Sequence, residues 1–131
     1  MKITVLILRS LLALVYLLFG LNFFFHFKFI PTPPPPAGAA GAFEGGLFGA
    51  GYFFPFMKVV EITSGFFMLI NKYTALFVLI IFPITLNIFL FHAFLAPGEV
   101  AMGAVMLLIN LFLGFAYRKY YVSFFTASPT V

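Results

Sequence analysis

Four long apolar runs dominate the chain, at about residues 3–27, 53–70, 74–95 and 100–117. Each approaches the ~20 residues that an α-helix needs to cross ~30 Å of hydrocarbon. The second and third are nearly continuous, broken only by INKYT at residues 70–74. One helix through both would be about 60 Å long, twice the bilayer. The chain is therefore expected to turn at Asn71-Lys72-Tyr73 as a tight helical hairpin. Before the fourth run, LAPGEV supplies Pro97-Gly98 to stop one helix and Glu99 to suit the first turn of the next.

Residues 28–52 differ in kind. The prolines Pro33 to Pro36 favour an extended polyproline stretch. The Ala/Gly-rich part that follows reads as loop or as a short interfacial helix anchored by Phe43, Leu47 and Phe48. No internal repeat is evident. The expected fold is all-α: an integral membrane, four-helix up-and-down bundle in a single domain over residues 1–131, with a tail at 118–131.

Composition agrees with the pattern. Hydrophobic residues make up 64% of the chain and charged residues 8%, and 22 residues are Phe. A soluble domain carries about 25% charged residues, so there is too little polar surface here to coat a globule in water. There is no room for a soluble catalytic domain. The absence of cysteine removes thiolate nucleophiles, iron–sulfur clusters and Cys-type zinc sites. The net charge of +4 is not gathered into a soluble basic patch, which excludes nucleic acid as a partner.

The positive residues read instead as a topology signal. With four spans, Lys2, Arg9, Lys72, Arg118 and Lys119 fall on one side, and Lys28 and Lys58 on the other. That bias predicts both termini in the cytoplasm of a bacterium, in its inner membrane, with the Pro-rich loop outside. Lys2 and Arg9 before an apolar run resemble a signal peptide. The small residues AGAAGA lie too far beyond the run for ordinary cleavage, so the first helix is expected to remain.

Antiparallel threading then sorts the polar residues by depth. Asn22 and His26, Lys58 and Glu61, Asn87 and His92, and Glu99 all fall in the outer half. The inner half holds Arg9, Asn110 and the turn residues. Charges in hydrocarbon usually face the bundle interior and pair. Lys58, Glu61, Gly65 and Met68 share one helical stripe, and Glu99, Gly103, Met106, Asn110 and Tyr117 another. Thr85 and His92 share a face from which Asn87 points away, and Pro83 is expected to kink that helix. The candidate cofactor-binding cluster is thus Glu61, Lys58, His26, His92, Asn22 and Asn87.

Plainer readings stand beside it. Lys58 and Glu61 suit a self-neutralising i, i+3 ion pair. Arg9 suits a snorkelling anchor. Gly65, Gly103 and Gly114 suit close helix packing, and Asn110 an interhelical hydrogen bond.

The segments RSLLALVYLLFGLNFFFHF, KVVEITSGFFMLINKYTAL and FPITLNIFLFHAFLAP resemble the DoxX-like family of small four-helix membrane proteins, from Arg9 to about Tyr120. Arg9 and Gly20 match its early Arg and later Gly, Glu61 and Ser64-Gly65 its acidic residue and small pair, and Asn71-Lys72 its polar turn. Ser64 stands where many members have Gly. The resemblance implies a four-helix bundle, and for some relatives a place in redox assemblies, one of which passes electrons from thiosulfate to quinone.

Several functions follow from this reading. The chain suits an accessory or anchoring subunit of a membrane complex, with other membrane or periplasmic subunits or copies of itself as partners. It equally suits a quinone-binding oxidoreductase subunit, because a quinone needs hydrogen-bonding groups beside apolar space. Haem between His26 and His92, or transport of a small molecule, are further alternatives.

Overall fold

The computed structural model describes residues 1–30 and 34–131. The described residues are helical and contain no strand. Five α-helices follow one another: α1 (Lys2–Phe25), α2 (Gly38–Gly49), α3 (Phe53–Leu69), α4 (Thr74–Leu95) and α5 (Val100–Ala116). Short 3-10 turns occupy Pro97–Glu99, Arg118–Tyr120 and Val122–Phe125. The four expected apolar runs coincide with the helices α1, α3, α4 and α5. Pro33 of the expected polyproline stretch lies outside the described residues, and Pro34 to Ala37 carry no regular structure.

Three segments are long and apolar enough to cross a membrane: Lys2–Phe25, Thr74–Leu95 and Pro97–Ala116. A fourth is reached if α2 and α3, bent by 88° at their junction, count as one. Their outward faces are apolar, with Leu6, Leu11, Leu18, Leu79, Val105 and Leu108 among the exposed side chains. Such faces are compatible with contact to a lipid bilayer.

The ends of the helices explain the turns. At Lys72 the backbone N–H bonds Phe67 O at 2.9 Å, and Asn71 takes a left-handed conformation at φ 56°. This is the Schellman pattern, in which Asn replaces the usual Gly. Thr74 Oγ1 then donates to Asn71 Oδ1 at 2.7 Å, which secures the start of α4. The hairpin therefore turns where the sequence placed it. Between α4 and α5 the 3-10 turn Pro97–Glu99 makes the expected break. Within α4 the helix runs on through Pro83.

The α1–α3 and α4–α5 pairs pack most extensively, and α3–α4 and α1–α5 contacts join them. A Cβ on Gly65 would stand 2.7 Å from Ala13 O, and one on Gly20 would stand 2.6 Å from Ile62 Cγ1. Only glycine allows α1 and α3 to approach this closely, and the pairing of 13 with 65 and 20 with 58–62 makes them antiparallel. Gly103 does the same for α5 against Phe89 of α4, at 3.2 Å. Gly114 does not share this role, because a Cβ there meets nothing within 4 Å.

Leu12, Ala13, Tyr16, Met68, Val78, Ile81, Met106 and Leu113 form the core. Two polar contacts cross it. Tyr16 of α1 bonds Thr85 of α4, and Thr85 Oγ1 in turn donates to Ile81 O at 3.2 Å. Thr85 has one proton, so Tyr16 donates to it. Asn110 of α5 donates to Val78 O of α4 at 3.3 Å.

Candidate functional site

Two helical stripes create the site. On α3, Glu61, Ser64, Gly65 and Met68 face inward, and on α5 Gly103, Met106 and Asn110 do. Glu61 therefore enters the interior, 2% exposed, although it carries a carboxylate. Its partner is on its own helix: Lys58 Nζ lies 3.1 Å from Glu61 Oε2. An i, i+3 pair neutralises the charge without joining one helix to another. Among the described residues Tyr16–Thr85 and Asn110–Val78 make polar contacts between helices instead.

Lys58 and Glu61 stand between two cavities. The larger, about 500 Å³, reaches from Tyr16 and Phe19 of α1 to Met102, Gly103 and Met106 of α5, with Lys58, Glu61, His92 and Glu99 in its lining. Phe19 and Met102 are both exposed, so this cavity opens between α1 and α5 onto the apolar exterior. The smaller, about 200 Å³, lies under α2, whose Phe43, Glu44 and Leu47 face Lys58, Glu61, Asn87 and His92 across it. The short helix α2 is thus a roof, and Phe43 packs on Phe91 of α4 with ring centroids 5.7 Å apart.

His92 contributes a directed group to both cavities. Its Nδ1 donates to Ile88 O at 2.8 Å, because a carbonyl can only accept. That bond fixes the tautomer and leaves Nε2 as the acceptor of the neutral ring.

Of the six candidates from the sequence, Lys58, Glu61 and His92 line both cavities, and Asn87 lines the smaller from an otherwise exposed position. Asn22 and His26 do not join them, which corrects the grouping by depth. Asn22 Oδ1 accepts from Phe27 N at 2.8 Å, and His26 caps α1 in a left-handed conformation at φ 51°, exposed. Both side chains sit where a helix must terminate, and Asn22 is used to satisfy backbone there. His26 and His92 are consequently not presented to one shared cavity, as a haem with two axial histidines requires.

No family profile matches the chain, and no curated protein or solved structure matches it either. The site is therefore read from its own chemistry.

That chemistry includes Tyr16, which depth and charge alone passed over. Its hydroxyl is buried in the wall of the larger cavity and held by Thr85. A tyrosine inside an apolar helix is a usable signal, because a buried phenol needs a hydrogen-bond partner. Together the larger cavity is lined by two carboxylates, Glu61 and Glu99, with an ammonium, an imidazole and a phenol, and its other lining residues are apolar.

Arg9 lies at the opposite end of α1 and is 8% exposed, so it is not the freely snorkelling anchor expected from the sequence.

Proposed function

We propose that the chain is a DoxX-like, four-span inner-membrane protein with both termini cytoplasmic, and that its larger cavity binds the head of a quinone-type ligand from the outer leaflet. In this role it is the membrane subunit of a larger redox complex. The observation that carries the reading is the placement of the buried Glu61. Its pairing with Lys58 holds no second helix, yet it stands in the wall of a cavity that opens onto the apolar exterior. A volume of about 500 Å³ suits a small-molecule head, within the ~300–1,000 Å³ of ordinary ligand sites.

A quinone takes up two electrons and two protons on reduction. In the proposed site Lys58 donates a hydrogen bond toward a carbonyl oxygen, Glu61 and His92 exchange protons with the ligand, and Tyr16, whose proton goes to Thr85, shapes the wall. The apolar opening between Phe19 and Met102 passes the tail to the lipid. With no cysteine in the chain, a thiol electron donor belongs to a partner.

A photoreactive azidoquinone tests this in bilayer discs holding the full chain. Labelling should fall on Phe19, Met102 or Met106 and be suppressed by excess unlabelled quinone. Labelling spread over the lipid-facing helix surfaces, or left unchanged by competition, refutes the site.

A further inference from the structure

We propose that a groove around Arg9, at the far end of the helices from Glu61, holds the phosphate of an anionic phospholipid. The proposal needs the helices to lie in a bilayer, and is independent of what the cavity at Glu61 takes.

Arg9 is more than nine-tenths buried, and its Nε has no hydrogen-bond partner. Among the described residues it also has no carboxylate partner. The three glutamates of the chain, Glu44, Glu61 and Glu99, all line the cavities at the other end. A buried guanidinium without a counter-charge is costly, several kcal/mol in principle. A ligand that brings the missing negative charge removes that cost.

The surroundings fit an anion. Arg9 opens into a groove of about 420 Å³ shared with Lys2, Tyr117, Lys119 and Tyr120. Three cations and two phenols converge there from both ends of the chain's helical part, and no acid is among the lining residues. The guanidinium fork matches two phosphate oxygens, and lysine adds a point charge.

The depth and the walls favour a lipid. Arg9 stands seven residues beyond Lys2, about 10 Å along the helix. Side chains on a helix lean toward its N-terminus, which carries the guanidinium toward Lys2 and the headgroup level. Val5 and Leu6 line the same groove and offer apolar contact to the first part of an acyl chain. Basic pockets of this kind between transmembrane helices suit anionic headgroups.

The test is lipid titration of the purified full chain in zwitterionic detergent, read by native mass spectrometry. Phosphatidylglycerol should be retained as one bound lipid per chain in preference to phosphatidylcholine. Arg9→Met should weaken that retention about tenfold, the loss of one charge-assisted bond. Lys28→Gln, at the opposite end, should leave it unchanged. If Arg9→Met fails to fold, Lys2→Gln with Lys119→Gln removes two exposed charges and should weaken retention likewise. Equal retention of both lipids, or undiminished phosphatidylglycerol binding in folded Arg9→Met or in the double variant, overturns the proposal. So does displacement by equimolar inorganic phosphate, which would make a free anion the ligand. Release of the chain from membranes by alkaline carbonate would instead show that the helices do not span, a separate failure.

Discussion

The Glu61 end and the Arg9 end of the helices both bury charge, but in opposite ways. At the first, Lys58 and Glu61 lie 3.1 Å apart on one helix and neutralise each other beside a cavity. At the second, Arg9 is buried with no carboxylate near, beside a groove lined by Lys2 and Lys119. A self-paired charge is stable without a ligand and free to respond to one. An unpaired charge asks for its partner from outside. In the functions proposed above, the contrast separates a site for proton exchange from one for an anion.

The comparison can be broken first at what both ends share. Gly65→Leu places a side chain against Ala13 O, where even a Cβ would stand at 2.7 Å. It should separate α1 from α3 and cost about 3 kcal/mol or more, seen as a lost folded species in size exclusion and thermal unfolding. Lys58→Met comes next. It leaves Glu61 buried and unpaired and should lower stability by about 3 kcal/mol, and the double variant Lys58→Met/Glu61→Gln should recover most of it. Arg9→Met in detergent without anionic lipid should leave stability undiminished or raise it, because it removes a buried charge that has no protein partner. A large loss there would make the two ends alike.

Smaller effects sharpen the picture. Tyr121 Oη donates to Ala75 O at 2.8 Å and ties the segment after α5 to α4. Burial, with the nearby Tyr117 adding to it, pushes its phenol from about 10 up to about 12. The proton is held more tightly in the folded chain, so this contact's stabilisation is complete below pH 10 and is lost as pH rises through about 12. Tyr121→Phe should cost about 1 kcal/mol at neutral pH and remove that dependence, measured by thermal melts across the alkaline range. Asn22→Ala should cost about 1 kcal/mol or less as a weakened helix end, while ligand retention at the Glu61 cavity stays as in the wild type.

Much of this was legible in the sequence. Apolar run length and the Asn71-Lys72-Tyr73 break located α1, α3, α4 and α5 to within two residues, because hydrophobicity and turn chemistry are local. Helical spacing correctly put Glu61, Gly65 and Met68 on one inward stripe, whereas Asn87, expected to point away from His92, lines the smaller cavity with it. What spacing could not show is what each polar group already bonds. Asn22 sits at the right depth, yet its carbonyl oxygen is spent on Phe27 N. Arg9 has the reach to snorkel, yet the fold leaves it 8% exposed. Tyr16 and Thr85 lie 69 residues apart in sequence and meet in the core only once α3 and α5, each packed on both α1 and α4, bring those two helices together.

The most direct measurement is native mass spectrometry of the chain extracted gently from its own membranes, wild type beside Glu61→Gln. The wild type should carry one added mass of quinone size, and Glu61→Gln should lose it while still folding. A bare wild-type chain, or the same mass retained in both, would contradict the proposed site and leave Lys58 and Glu61 as a self-neutralising pair.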